Sequence, residues 1–185
     1  MKNILVIGAG KIGQLVAALL ATSGDYTVTV VDRSASALAH LSQAMDAPTL
    51  AKVRTQALDV HNGEALRRVM QGHFAVLSAA PFQQTLAIAQ AARDTGVHYL
   101  DLTEDVASTR QIKQLADGAP CAFIPQCGLA PGFVSIAAAD LAARFDKLDS
   151  VRLRVGALPT YPSNALNYNL TWSTDGVINE YIEPC

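Results

Sequence analysis

Short runs of apolar residues alternate along the chain with longer segments in which apolar positions recur every three or four residues. The runs are continuous rather than alternating, so we expect strands that are buried on both faces. They predict six strands, at residues 3–7, 27–31, 53–58, 74–78, 99–102 and 121–124. The segments between them predict five helices, at residues 12–22, 35–45, 63–70, 83–95 and 106–116. This alternation indicates βαβ units and therefore an α/β fold with a doubly wound parallel sheet.

The pattern changes towards the end of the chain. Residues 133–145 predict a further helix with one apolar face, and residues 151–158 predict a strand that is followed by a loop rich in Pro, Asn and Ser. We therefore expect a first domain at residues 1–130. Residues 131–185 are expected to form a linker helix and the incomplete start of a second α/β domain for substrate binding and dimerisation.

The loop between the first predicted strand and helix is the most informative stretch. Gly8, Gly10 and Gly13 form a GxGxxG pattern there, and Asp32 ends the second strand. Gly8 permits a tight turn, Gly10 lets a pyrophosphate approach the backbone, and Gly13 lets helix and strand pack closely. The start of the helix suits a diphosphate because its N–H groups are unpaired. Together these features predict a Rossmann NAD(P)-binding domain, with a glycine turn that binds no ligand as the alternative.

The end of the second strand bears on the choice between NAD and NADP. Asp32 can accept hydrogen bonds from the adenosine ribose, and its charge repels a 2′-phosphate. Arg33 can instead cover such a phosphate, so NAD is favoured and NADP stays open. Lys11 opposes the helix dipole locally, which makes sense if an anion lies nearby. We count Lys11 and Ile12 with the cofactor-binding residues.

Residues that directly follow the other strands are further candidates, because ligands of open α/β sheets bind at the carboxyl ends of the strands. Asp59 and Val60 follow the third strand and are placed to flank the adenine. Small residues follow the fourth strand and would let the dinucleotide cross the edge of the sheet. They are Ala79, Ala80 and Pro81.

Three carboxylates lie in the sequence LDLTED after the fifth strand. Asp101 and Glu104 are either structural or placed to exchange protons near a dinucleotide. Thr103 or Asp105 can cap the next helix, and for Asp105 we favour that role. Cys127 follows the sixth strand beside a Gly/Pro turn. A packed thiol is its default interpretation, and a proton donor or neighbour of the nicotinamide is the alternative.

Longer motifs add a resemblance that covers nearly the whole chain. They are VIGAGKIG, VVDRS, SAAPF, TGVHYLDLTED, CGLAPGF and VGALPTYPSNALNYNLTWSTDGVINEY. The pairing of GVHYLDLTED with GLAPGF is the most specific of these. On these motifs the chain resembles the saccharopine dehydrogenase-like oxidoreductases, and within them the lysine 6-dehydrogenase-like branch.

The resemblance implies an NAD(P)-dependent enzyme that acts on the CH–NH bond of an amino acid of the saccharopine or lysine type. Hydride would pass to the nicotinamide, and an imine intermediate would form. Members of the family are longer than 185 residues, so a dinucleotide-binding module without turnover is the alternative. The implied cofactor residues are Gly8, Gly10, Gly13, Asp32, Arg33, Asp59, Val60, Ala79, Ala80, Pro81 and Thr103. Asp101 and Cys127 are the catalytic candidates, and Glu104 is the candidate for substrate binding.

Composition narrows the expected partners. The net charge is −2 and no long run of Lys or Arg occurs, so we expect no nucleic acid. No apolar run is long enough for a membrane span. Three cysteines without CxxC spacing and without an export signal predict a cytoplasmic protein with no metal site. An exposed apolar patch, expected around residues 158–181, predicts a homo-oligomer, most simply a dimer.

Overall fold

The computed structural model describes residues 1–156, 159–165, 167–169 and 174–182. Within these residues a six-stranded parallel sheet has the strand order β3-β2-β1-β4-β5-β6. Its strands are β1 (Lys2–Ile7), β2 (Tyr26–Asp32), β3 (Val53–Ala57), β4 (Ala75–Ser78), β5 (His98–Asp101) and β6 (Phe123–Ile124). Because β1 pairs with both β2 and β4, the strand order reverses there, and a crevice opens at the carboxyl ends of these strands.

Helices connect the strands, and polar residues mark where several of them begin. Ser34, Asn62 and Asp105 each cap a helix by accepting a hydrogen bond from a backbone N–H three residues later. Gly24 and Gly96 end two helices in the left-handed conformation. The helices are α1 (Lys11–Ser23), α2 (Ala35–Ala44), α3 (Ala47–Leu50), α4 (Gly63–Met70), α5 (Thr85–Thr95), α6 (Val106–Ala116), α7 (Phe133–Ala142) and α8 (Thr174–Ile182).

Two hydrophobic clusters cover the two faces of the sheet, and β1 contributes to both. Leu5 and Ile7 lie in one cluster, whereas Ile4 and Val6 lie in the other. Successive side chains of a strand point to opposite faces, so a strand covered on both sides must be apolar throughout. This is why β1 appears in the sequence as an unbroken apolar run, and it fixes the position of the glycine loop that follows.

The predicted α/β fold with a doubly wound parallel sheet is confirmed. All six predicted strands and the first five predicted helices end within two residues of the observed bounds. The helix predicted at 133–145 ends at Ala142, and the short helix α3 was not predicted. The strand predicted at 151–158 is wrong over 151–156, which have no regular secondary structure and are exposed, while 157 and 158 lie outside the described residues. Within the described part of the chain, no strand pairs with this segment, so its backbone groups gain nothing from extending.

Helix α7 has apolar side chains that face outward. Across this helix, every residue of which the structure describes, none is buried, and Phe133 and Ile136 are 64% and 70% exposed. The patch expected around 158–181 lies partly outside the described residues; in its described part Tyr161 and Ile178 are exposed. The homo-oligomer and the domain boundary stay predictions. Among the described helices, none is long and apolar enough to cross a bilayer.

Candidate functional site

A cavity of about 500 Å³ opens at the carboxyl ends of β1, β2, β4 and β5, where the strand order reverses. Its walls bring together nearly all the residues that the sequence analysis proposed for a site. Only Gly13 and Cys127 of that set do not line it. Those that do are Gly8, Gly10, Lys11, Ile12, Asp32, Arg33, Asp59, Val60, Ala79, Ala80, Pro81, Asp101, Thr103 and Glu104.

The three glycines of the loop differ in what surrounds them. A Cβ at Gly13 would lie 1.8 Å from the carbonyl oxygen of Gly8, so Gly13 acts by allowing close packing and not by lining the cavity. Gly8 has a φ of +107°, and a Cβ there would lie 2.8 Å from the carbonyl oxygen of Ala79. A Cβ at Gly10 would meet no atom within 4 Å. The open space at Gly10 is therefore room that a ligand, and not the protein, can fill.

The N-terminus of α1 faces this open space. Among the described residues no side chain caps it, and its first turn contains no acidic residue. The first N–H groups of a helix carry a partial positive charge, and they bind phosphate where backbone and ligand can approach closely. Lys11 adds a positive side chain at the same wall. The loop, the helix end and the cavity volume together fit the diphosphate of a dinucleotide.

Asp32 forms the wall at the end of β2, and two backbone groups hold its carboxylate. The N–H of Ala9 donates to Oδ2 at 2.7 Å, and the N–H of Ser34 donates to Oδ1 at 2.7 Å. Each carboxylate oxygen can still accept a further hydrogen bond, as an adenosine ribose requires. Arg33 lies beside it on the same wall. This side of the cavity is therefore the expected adenosine end.

Asp101 ends β5 and is 1% exposed. Oδ2 accepts a hydrogen bond from the hydroxyl of Tyr99 at 2.8 Å, and Oδ1 accepts from the N–H groups of Thr103 and Gln126, each at 3.0 Å. Burial raises the pKa of Tyr99, and the charge of Asp101 raises it further, so the phenol stays protonated. The carboxylate thus has three protein donors around it, and its catalytic role stays a prediction.

The loop after β5 continues this hydrogen-bonded arrangement into α6. The N–H of Asp105 donates to Oγ1 of Thr103 at 3.1 Å, and Oδ2 of Asp105 accepts from the N–H of Ser108 at 2.6 Å. The cap predicted for Asp105 is therefore confirmed, and Thr103 instead supports the turn before it. Thr103 and Glu104 line the end of the cavity away from Asp32.

The structure does not bring Cys127 to the cavity wall. The backbone turns at Gln126, which has a φ of +62°, and the thiol of Cys127 donates to the carbonyl oxygen of Ile124 at 3.1 Å. Burial raises the pKa of this thiol, and the charge of Asp101 adds to the effect. The expected contact of Cys127 with the nicotinamide has no support in this geometry.

Several lining residues were not among the sequence candidates. Ser78 ends β4, and its Oγ is buried with no hydrogen-bond partner among the described residues. Its place at a strand end is a signal that could have identified it. Thr85 begins α5 after a short 3-10 turn, and Gly176 comes from the distant helix α8. No local sequence pattern predicts that α8 reaches the cavity, because that contact depends on how remote segments pack.

A six-stranded parallel sheet with a glycine loop, an uncapped helix and an acid at the end of β2 defines a dinucleotide-binding domain of the Rossmann type. The family model described as saccharopine dehydrogenase NADP binding domain matches residues 4–122. The chain belongs to this family. The predicted resemblance to the saccharopine dehydrogenase-like family is confirmed, and so is the predicted NAD(P) coenzyme. The lysine 6-dehydrogenase-like branch stays a prediction.

The chain is also similar to individual proteins of known activity. It is 28% identical over 183 residues to saccharopine dehydrogenase [NADP(+), L-glutamate-forming] from Saccharomyces cerevisiae. This match covers 96% of this chain and 40% of that protein. It is 23% identical over 190 residues to the mitochondrial alpha-aminoadipic semialdehyde synthase of Rattus norvegicus, covering 99% of this chain and 20% of that protein. The chain therefore spans less than half the length of these relatives.

The fold comparison agrees with the sequence relatives. The structure of apo histidine-tagged saccharopine dehydrogenase (L-Glu forming) from Saccharomyces cerevisiae matches with a TM-score of 0.66 and 24% identity, over 77% of this chain and 31% of that chain. At this identity the match establishes the fold and leaves the activity to be argued from the site.

Proposed function

We propose that this chain is an NAD(P)-dependent oxidoreductase that acts on the CH–NH bond of an amino acid of the saccharopine or lysine type. The observation that carries the proposal is the cavity at the reversal of strand order. Its open glycine loop and its acid at the end of β2 fit a dinucleotide. Membership of the saccharopine dehydrogenase family supports the substrate class.

The chain's own residues divide the work by position. The glycine loop and the start of α1 would hold the diphosphate, and Asp32 would hold the adenosine ribose. Ala79 and Ala80 would leave room where the dinucleotide crosses the sheet, and Thr103 and Glu104 would lie at the nicotinamide end. A nicotinamide held there would supply the acceptor for a hydride from the carbon that bears the nitrogen. The substrate amine must first lose a proton to a base. Loss of the hydride from the carbon of this neutral amine then leaves a protonated imine, to which water adds.

For the coenzyme we propose NAD in preference to NADP. The carboxylate of Asp32 is held by two backbone N–H groups, so it cannot turn away without losing both hydrogen bonds. A 2′-phosphate would then meet a fixed negative charge. Arg33, which lies beside Asp32 on this wall, is a neighbouring group that could offset the repulsion. The yeast relative carries NADP(+) in its name, so this preference would be a difference between the two proteins.

The experiment that tests the proposal separates binding from turnover. NADH and NADPH are titrated into the chain, and binding is followed by the fluorescence of the reduced nicotinamide. Reduction of NAD⁺ is then assayed with saccharopine and with L-lysine. We expect binding with a preference for NADH, and turnover with one of the two substrates. Binding without turnover would leave a dinucleotide-binding module, and absence of any binding would overturn the proposal.

A further inference from the structure

We infer that Asp101 is a positioning residue, whose buried carboxylate holds the loop at the nicotinamide end of the cavity and does not exchange protons with the substrate. The inference rests on the proposed function, because it assigns a role within the same coenzyme site. It concerns residues 102–104, which line the cavity between β5 and α6, and the turn at 125–132 behind them.

The surroundings of the carboxylate argue against proton exchange. A general acid or base must come within hydrogen-bond distance of the substrate, either directly or through one water. Asp101 is 1% exposed, and donors from Tyr99, Thr103 and Gln126 surround its two oxygens. The lone pairs that a substrate would need are therefore directed mostly at the protein itself.

The same hydrogen bonds join two loops that are distant in sequence. Oδ1 of Asp101 accepts from Thr103 in the cavity loop and from Gln126 in the turn behind it. The N–H of Cys127 donates to the backbone oxygen of Asp101 at 2.7 Å, which adds a second link to that turn. A Cβ at Gly128 would lie 3.5 Å from the carbonyl oxygen of Leu102, so the glycine lets the two loops lie close together.

The backbone at Gln126 adopts an uncommon conformation in this arrangement. Its φ of +62° lies in the left-handed region, which a residue with a Cβ adopts only when its surroundings favour it. The bond from its N–H to Asp101 is one interaction that holds this conformation. Without the carboxylate, both Gln126 and Thr103 would leave a backbone N–H without its acceptor.

The adenosine end of the cavity does not depend on this cluster. Asp32, at the end of β2, is held by Ala9 in the loop after β1 and by Ser34, and β1 and β4 separate β2 from β5. A substitution at Asp101 should therefore affect ligand binding at the nicotinamide end and not at the adenosine end. This predicts a separation between two ligands: NADH occupies both ends, whereas ADP lacks the nicotinamide half.

Two substitutions at Asp101 distinguish the roles. Asp101→Ala removes both acceptor oxygens and with them all three hydrogen bonds. We expect the affinity for NADH to fall about tenfold, as the loss of hydrogen bonds of this kind implies, while the affinity for ADP is unchanged. Asp101→Asn keeps an oxygen for Thr103 and Gln126, and its amide can donate to Tyr99, so we expect it to rescue the NADH affinity. Asp105→Ala is the matched control, because it removes a buried carboxylate of the same loop that does not line the cavity.

The outcomes separate this inference from the proposed function. Equal losses for NADH and ADP in Asp101→Ala, or no loss of either, would overturn the inference alone. Loss of turnover in Asp101→Asn with NADH affinity intact would assign proton exchange to Asp101 and also overturn it. A wild-type chain that binds neither ligand would overturn the proposed function and the inference with it. If Asp101→Ala does not fold, amide hydrogen exchange in the wild type decides: we expect slow exchange at Thr103 and Gln126, and fast exchange would contradict the inference.

Discussion

The backbone N–H of Ala9 donates a 2.7 Å hydrogen bond to the carboxylate of Asp32, twenty-three residues further along the chain. This bond joins the loop that would hold the diphosphate to the acid that would hold the ribose. Because Ser34 binds the other carboxylate oxygen, the acid is fixed from both sides. Two parts of the proposed coenzyme site are therefore arranged relative to each other by the protein's own hydrogen bonds.

We expect Asp32→Ala to weaken NADH binding by about 1–2 kcal/mol, the size of lost hydrogen bonds to a charged group. NADPH should lose less, because removal of the carboxylate also removes its repulsion of the 2′-phosphate. The ratio of the two affinities should shift towards NADPH, as measured by fluorescence titration. Asp25→Ala is the control, since Asp25 is an exposed acid before β2 and does not line the cavity. Unchanged NADH affinity in Asp32→Ala would remove Asp32 as the ribose ligand.

A second expectation concerns the open space at Gly10. A Cβ there meets no atom within 4 Å, so Gly10→Val should fold while its side chain enters the cavity. We expect NADH affinity to fall by a factor on the order of ten or more, equivalent to ~1.4 kcal/mol. Gly156→Val is the matched control, because a Cβ at Gly156 also meets nothing but lies away from the cavity. Normal NADH binding by Gly10→Val would place the diphosphate elsewhere.

The sequence predicted the parts of the site that local patterns encode. Strand β1 and the glycine loop could be predicted because a strand buried on both faces and a GxGxxG turn each leave a signal within a few residues. The position of Cys127 away from the cavity wall could not be predicted in this way. Cys127 follows Gln126, which has a left-handed backbone and donates a hydrogen bond from its N–H to Asp101. This hydrogen bond joins residues that follow or end two different strands, and no spacing in the sequence predicts it.

Local patterns also failed to predict two larger features. These are the absence of a strand at 151–156 and the contact of Gly176 with the cavity. Residues 151–156 have a strand-like composition, but a strand forms only where another strand pairs with it, and within the described residues none does. Gly176 reaches the cavity from α8, more than seventy residues beyond Glu104. Both outcomes are decided by packing between remote segments, about which residue type carries little information.

A third expectation follows from the raised pKa of Tyr99. The folded protein holds the phenol neutral, while the unfolded chain loses the proton near the ordinary tyrosine pKa of about 10. Its contribution to stability is therefore complete below about pH 10 and declines as the pH rises further. Tyr99→Phe loses the hydrogen bond to Asp101, so we expect it to be less stable than wild type at pH 8, with a difference that narrows by pH 11.

Urea unfolding at the two pH values measures this difference. Tyr161 is 86% exposed, so Tyr161→Phe controls for the loss of a hydroxyl at a site that folding does not bury. If the gap between wild type and Tyr99→Phe stays constant from pH 8 to pH 11, the phenol of Tyr99 does not couple ionisation to folding.

The last expectation concerns Cys127. Burial and the nearby charge of Asp101 raise the pKa of its thiol above the ordinary value of 9.0, so at neutral pH the nucleophilic thiolate is scarce. In a Cys121→Ser, Cys185→Ser background, we expect iodoacetamide to react with Cys127 more slowly than with free cysteine, and the rate to rise only at alkaline pH. Since Cys127 does not line the cavity, saturating NADH should leave that rate unchanged. Rapid alkylation at neutral pH that NADH blocks would instead place this thiol beside the nicotinamide, and so restore the catalytic role that its position in the structure does not support.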